Sequence, residues 1–204
     1  MKILFTTRAA LFSAVFIFLG LAAVHGFDAA PAAGADDSEL AQLFRDMLII
    51  KASKAGIPIE IRLNDMDGKT VSLSDFRGKI VFLNFWTTWC PTCRIEMPSM
   101  EKLHQKFKDG DFALVAVNLQ EPAARVKEFF KEFKLTFTAL LDTDGEVGIM
   151  FGINQIPTTY ILDKNGRIIA KALGPRAWDS PKSIALFEHL TSRKEAASIA
   201  DPLN

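Results

Sequence analysis

Trp89-Cys90-Pro91-Thr92-Cys93 contains the only two cysteines in 204 residues. They follow an apolar run, Ile80-Val81-Phe82-Leu83-Asn84-Phe85-Trp86. A buried strand that hands a C-x-x-C to the first turn of a helix builds a redox-active dithiol. The two sulfurs are close enough to close a small ring, and unpaired helix N–H groups favour negative charge on the first, so its thiolate becomes accessible near neutral pH. Three other readings compete. A structural disulfide over so short a loop constrains the unfolded chain little and adds little stability. A zinc site would need a second C-x-x-C or a histidine pair, whereas His25, His104 and His189 lie in separate segments. Copper(I) can be held by two thiolates alone, so a metal carrier ranks behind redox chemistry and ahead of a structural role. Redox exchange by the dithiol needs no cofactor and no metal.

The pattern around the cysteines supplies the elements that position them. Ile80–Trp86 reads as a buried strand and the helix after Cys90 takes Pro91 at its first position, where a missing N–H costs nothing. Cys93, Met97, Met100, Leu103 and Phe107 form the inward stripe of that helix, Asp109-Gly110 ends it, and Pro98 inside it predicts a kink. Upstream, Ser38 is a predicted N-cap for a helix with Leu40, Leu43, Phe44, Met47 and Ile50 on one face, ending near Gly56. Ile57–Leu63 alternates like a half-buried strand, and Asp67-Gly68 turns it into Lys69–Leu73 as a hairpin. Downstream come a strand at Phe112–Val117, a helix opened by Glu121-Pro122, a strand at Phe137–Leu141 and a short helix at Glu146–Phe151. Thr158–Leu162 and Arg167–Ala170 flank Asp163-Lys164-Asn165-Gly166, a hairpin signal, and Ser180-Pro181 caps a last helix. Strands joined through helices predict an α/β fold whose central mixed β-sheet holds parallel pairs, with a site at the carboxyl end of Ile80–Trp86.

The first 26 residues read as a leader. Lys2 and Arg8 precede sixteen uncharged residues, Ala9 to Val24, and Val24-His25-Gly26 offers small residues for cleavage. The block is short for a membrane span, which favours a cleaved signal peptide; extended through Phe27 it becomes an N-terminal membrane anchor or tether. Residues 27–37, rich in Ala, Pro, Gly and Asp, read as a linker, and 38–204 as one domain. Export implies an oxidising compartment, where a solitary C-x-x-C closes unless something keeps it reduced. Formal charge is zero, and the leader holds two bases and no acid, so neither nucleic acid nor an anionic surface is an expected partner.

Asn84–Pro98 resembles the active-site segment of the TlpA/ResA-like extracytoplasmic thiol–disulfide oxidoreductases, members of the thioredoxin superfamily. Asp67–Lys79 is similar to the same family's lead-in, and Gly152–Thr159 to its cis-proline segment, so the likeness runs over 57–193. It implies a thioredoxin-like fold with an extra N-terminal helix and β-hairpin. Within it Cys90 would be the exposed attacking thiolate and Cys93 the shielded thiol that resolves the mixed disulfide. Ile156-Pro157 would lie against the dithiol, with a cis bond whose turned backbone offers substrate a strand edge. Glu96 matches the family's acid after the second cysteine: either it tunes the thiols and takes protons, or it is a solvated helix charge. Trp89 would shield the sulfurs and present an aromatic surface, and Trp86 belongs to the core. Asn84 stands where cytoplasmic thioredoxins carry a buried aspartate, which leaves Glu96 as the nearest proton carrier. Thr92 differs from the usual residue after Pro91, so the redox poise cannot be copied from relatives.

The resemblance implies an exported monomer that reduces disulfides in partner proteins, such as apocytochrome c or copper-site cysteines, recharged by a membrane thiol donor of the DsbD/CcdA type. Its place would be extracytoplasmic, in the periplasm or on the outer face of the cytoplasmic membrane. A copper(I) metallochaperone and a thioredoxin-fold peroxidase are the alternatives. The peroxidase needs a different lead-in to its cysteine than Leu83–Thr87.

Overall fold

The computed structural model describes residues 33–53 and 56–193; the expected leader at 1–26 and the expected linker, as far as residue 32, lie outside the described residues. No helix among the described residues is long and apolar enough to cross a membrane. The elements run α1 (Ala33–Asp46), β1 (Ile50–Lys51), β2 (Arg62–Asp65), β3 (Thr70–Ser72), a 3-10 turn at Leu73–Phe76, β4 (Ile80–Trp86), α2 (Pro91–Phe107), β5 (Phe112–Leu119), α3 (Ala123–Phe133), β6 (Thr138–Asp142), α4 (Glu146–Met150), β7 (Thr158–Leu162), β8 (Ile168–Leu173) and α5 (Pro181–Ser192).

The strands form one sheet in the order β1-β8-β7-β4-β5-β6-β2-β3. β4 runs parallel to β5 and β5 to β6, while β4 pairs antiparallel with β7. This is the predicted mixed sheet with parallel central pairs. Every residue of β4 is buried, because both faces of the central strand are covered. Its alternate residues serve two cores. Ile80, Phe82 and Trp86 face α1, α2, α3 and α5, whereas Val81, Leu83 and Phe85 face the opposite side with Leu73, Tyr160 and the partly buried Val147 of α4. Asn84 shares the first face and is the polar position in that row. Phe82 meets the indole of Trp178 edge-on, with ring centroids 4.6 Å apart, and also approaches Phe187.

Two predicted elements differ from what forms. The first helix starts at Ala33, ahead of the predicted Ser38 cap, and stops at Asp46 rather than near Gly56. Leu48 takes a left-handed φ of 53°, which turns the chain so that Ile50 pairs with Lys171 of β8 and stands 59% exposed. The helical spacing through Ile50 is therefore a coincidence of the sequence. The alternation from Ile57 likewise yields a paired strand only at Arg62–Asp65, with Ile57 81% exposed. Ahead of it, Ile59 N–H and Ile61 C=O find partners in Gly166 and Leu73, outside any ladder. The hairpin itself forms as expected. β2 and β3 pair through Arg62↔Ser72 and Asn64↔Thr70, and Gly68 at φ 86° supplies the turn.

Phe82 supports the ring that reaches into the site, so Phe82→Ala tests the link between core and site. Truncation of a fully buried Phe is expected to cost about 3 to 5 kcal/mol. Urea unfolding of the disulfide form should show a lower midpoint at unchanged slope.

Candidate active site

Cys90 and Cys93 meet at the carboxyl end of β4, at the start of α2, where they are joined in a disulfide. Cys90 is the N-cap of α2 in extended conformation, with Pro91 opening the helix. Its Sγ accepts the Cys93 backbone N–H at 3.1 Å and lies 3.4 Å from Thr92 Oγ1. The first turn of α2 thus directs a donor at the first sulfur, the arrangement that stabilises a thiolate there once the bond is reduced. Cys93 is wholly buried, where the resemblance implies a shielded thiol. Cys90 is more covered than expected, with 3% exposure, because in the disulfide its sulfur is folded back onto the helix N-terminus. The order of accessibility holds and the predicted exposure does not.

The segment leading into Cys90 is fixed by a second acid. Glu121, at the end of β5, is buried and accepts Thr88 N–H at 2.7 Å, Thr88 Oγ1 at 2.5 Å and Asn118 Nδ2 at 2.7 Å. Arg94 closes the other side, with Nη1 on Thr88 O and Nη2 on Glu132, and its guanidinium lies over the rings of Phe129 and Phe133. Sequence reading took Glu121 only as a helix opener. Its role depends on strands β4 and β5 lying side by side, which no local pattern reports.

Glu96 is a second buried glutamate. One turn beyond Cys93, it is 1% exposed, so it is not a solvated helix charge. Oε1 accepts Asn84 Nδ2 at 3.0 Å; Oε2 accepts Trp178 Nε1 at 3.0 Å and Arg176 N–H at 3.3 Å. Burial raises its pKa to about 7, opposed by the hydrogen bonds from Trp178, Asn84 and Arg176 and by the charge of Arg176. A carboxyl with a pKa near neutrality, one helical turn from Cys93, is suited to take and return a proton. Trp178 and Arg176 arrive from the loop after β8, which is tied to α2 by Trp178 N–H on Ser99 Oγ and Ser99 Oγ on Arg176 O. Neither residue carries a sequence signal, since the loop has no period and lies far along the chain.

Ile156, Pro157, Trp89 and Trp86 are the remaining residues singled out in the sequence. The Ile156–Pro157 bond is cis, Pro157 is buried, and its carbonyl accepts Gly174 N–H at 2.9 Å. Ile156 packs against the core cluster that holds both cysteines. Trp89 stands out at 65% exposure, and Trp86 is fully buried. Trp89 and Ile156 line one open cleft of about 420 Å³, walled further by Thr87, Gln120 and Ile153. Trp89 therefore offers an aromatic surface beside the dithiol.

A family model described as Redoxin matches residues 51–186. The thiol-disulfide oxidoreductase ResA of Bacillus thuringiensis subsp. konkukian is 39% identical over 112 residues, covering 55% of this chain and 65% of that protein. The chain thus spans a little less than two thirds of that relative's length. Among solved structures, StoA from Bacillus subtilis is 30% identical with a TM-score of 0.55, covering 63% of this chain and 98% of the other. The thioredoxin domain of a thiol-disulfide oxidoreductase from Bacteroides vulgatus is 26% identical with a TM-score of 0.59, covering 69% and 99%. The fold is thioredoxin-like.

The raised pKa of Glu96 has a consequence for stability. Between pH 4.5 and about 7 the folded protein holds a proton that the unfolded chain has lost, so this group makes stability fall as pH rises through that window. Glu96→Gln removes the dependence. The difference in unfolding free energy between variant and wild type, measured in urea in the disulfide form, should move in the variant's favour by about 3 kcal/mol from pH 4 to pH 8. A constant difference across that range would place the carboxyl's titration at its ordinary value.

Proposed function

The chain belongs to the redoxin family, and we propose that it is an exported protein thiol–disulfide oxidoreductase that reduces disulfides in partner proteins through Cys90 and Cys93. The observation that carries this reading is the pair itself: one sulfur at a helix N-cap, its partner sulfur wholly buried one turn in, and a buried acid a further turn on. The ResA name of the relative and the leader at 1–26 support the class of reaction and the compartment.

In the proposed cycle the Cys90 thiolate attacks one sulfur of a substrate disulfide. The other substrate sulfur leaves as a thiolate and takes a proton, so a mixed disulfide joins Cys90 to the substrate. Cys93 then gives its proton to Glu96 and attacks Cys90 Sγ, releasing the second substrate thiolate, which takes up the proton that Glu96 gives back. The first thiolate's proton comes from solvent, where the ionisation of Cys90 had released one. Two electrons and two protons pass to the substrate, and the enzyme is left with the Cys90–Cys93 disulfide seen here. Glu121 and Arg94 hold the Thr88 loop so that Cys90 enters this sequence in a fixed position. The cleft between Trp89 and Ile156 would receive the chain flanking the substrate cysteine, with cis-Pro157 beside it. A membrane thiol donor of the DsbD/CcdA type would return the enzyme to the dithiol, and apocytochrome c or copper-site cysteines are the proposed substrates.

Cys93→Ser expressed in a host that exports the chain should accumulate a mixed disulfide through Cys90, released by dithiothreitol and identified by mass spectrometry. Stoichiometric copper(I) binding with no trapped partner and no exchange of disulfides would instead favour the metal carrier.

Direction of electron flow is a second expectation. An oxidant needs a strongly stabilised Cys90 thiolate, and this chain has no histidine between its cysteines and a buried carboxyl beyond them. A reduction potential below roughly −200 mV is expected, nearer thioredoxin than the disulfide-forming oxidants. Equilibration with dithiothreitol or glutathione buffers and thiol trapping gives the value, and one near about −120 mV would reverse the assignment.

A further inference from the structure

Every hydrogen-bond partner of the Glu96 carboxyl is a donor: Asn84 Nδ2 on Oε1, Trp178 Nε1 and Arg176 N–H on Oε2. That set suits a carboxylate. A carboxylic acid in the same place needs an acceptor for its O–H, and a buried O–H without one costs about 1 to 3 kcal/mol. Indole and backbone N–H groups only donate, so the Oε2 side cannot supply the acceptor.

Asn84 can. Its Oδ1 is buried and has no hydrogen-bond partner, while Nδ2 on the same carbon serves both Glu96 and Thr159 Oγ1, each at 3.0 Å. The two ends of the amide have nearly the same shape, so a half-turn of the side-chain amide plane exchanges them in place. In the turned form Oδ1 would accept the Glu96 O–H. Thr159 sits directly opposite Asn84 in the β4–β7 register, is 2% exposed, and carries a hydroxyl able to donate as well as accept. It can therefore accept from Nδ2 in one orientation and donate to Oδ1 in the other.

We propose that Asn84 is a positioning residue whose side-chain amide reverses with the protonation of Glu96, donating to the carboxylate and accepting from the carboxylic acid, so that the acid keeps its place while it takes and returns a proton. The inference rests on the exchange reading only in taking Glu96 as the group that handles the Cys93 proton. The residue type follows from this duty. A leucine of similar size would partner neither form, and an aspartate would add a second negative charge against the first. The charge acting on Glu96 comes from Arg176; Asn84, Thr159 and Trp178 are neutral, and Cys93 on the same helix is held in the disulfide. With the carboxyl raised to about 7, both forms are populated near neutral pH.

The test uses the full wild-type chain in its disulfide form, so it needs no substrate. Asparagine is labelled with 15N and glutamate with 13C at Cδ, and NMR spectra are followed from pH 5 to pH 9. The Glu96 Cδ shift should pass through one transition. Across it, the nuclear Overhauser effect between the Asn84 side-chain NH2 and the Thr159 side chain should weaken at least threefold from pH 9 to pH 5. An effect of constant strength through the Glu96 transition overturns the proposal, as does a Glu96 that does not titrate in this range. A second measurement uses Asn84→Asp. Its added carboxylate cannot donate, so the Glu96 transition should move up at least tenfold in proton affinity. An unchanged midpoint would put Asn84 outside the acid's hydrogen-bond circuit and overturn the proposal too. Neither result depends on trapping a partner, so failure here leaves the exchange reading standing, and failure to trap leaves this one standing.

Discussion

The burial of one carboxyl constrains the side of the molecule on which the dithiol stands. An ionisable group taken out of water is strongly disfavoured in its charged form unless hydrogen bonds replace its hydration. For Glu96 these come from two places remote in sequence: Asn84 in the central strand, and Arg176 and Trp178 in the loop after β8. The loop can supply them only if it is held against α2, and Ser99 holds it there by accepting Trp178 N–H and donating to Arg176 O. Trp178 in turn stays in place because Phe82 and Phe187 pack on its ring. The strand, the active-site helix and the loop packed on the last helix are thereby joined through one buried carboxyl.

Two buried glutamates flank the cysteines, and their surroundings give them different work. Glu121 binds both the N–H and the hydroxyl of Thr88, with Asn118 steadying it from its own strand and Arg125 within 3.8 Å. It fixes a loop. Glu96 accepts from Asn84, Trp178 and Arg176, yet burial outweighs these bonds and raises its pKa to about 7. The same side chain thus braces a loop on one side of the site and, on the other, is a carboxyl whose burial raises its pKa.

What could be read from the chain divides along the same line. The dithiol, β4, the active-site helix and the Asn165-Gly166 hairpin carry signals within a few residues of one another, and each was legible. For Ile156-Pro157 the signal is the resemblance, which implies a cis bond at the site, and the bond is cis. Glu96 remained undecided between a buried and a solvated role, because its burial comes from Trp178, a residue with no periodic neighbours. Arg176, Trp178 and Glu121 act through contacts made only when distant segments meet, and no local pattern marks them. The end of α1 was misplaced for a related reason. The apolar spacing runs on through Ile50, but the left-handed Leu48 breaks the helix and distant groups capture its carbonyls.

Those carbonyls make the first helix part of the site's support. The Arg176 guanidinium accepts no bonds and donates four, to Met47 O and Leu48 O past the end of α1 and to Leu173 O and Gly174 O past the end of β8. Its backbone N–H meanwhile reaches Glu96. A planar donor fork with this many fixed acceptors is hard to replace, and lysine would not reproduce it. Leu40, Phe44 and Ile49 anchor the same segment in the core. Docking of α1 therefore bears on Arg176, Arg176 bears on the loop that carries Trp178, and that loop completes the cradle of the acid one turn from Cys93. A helix that contributes no reacting atom is in this way mechanically continuous with the carboxyl proposed to handle the proton.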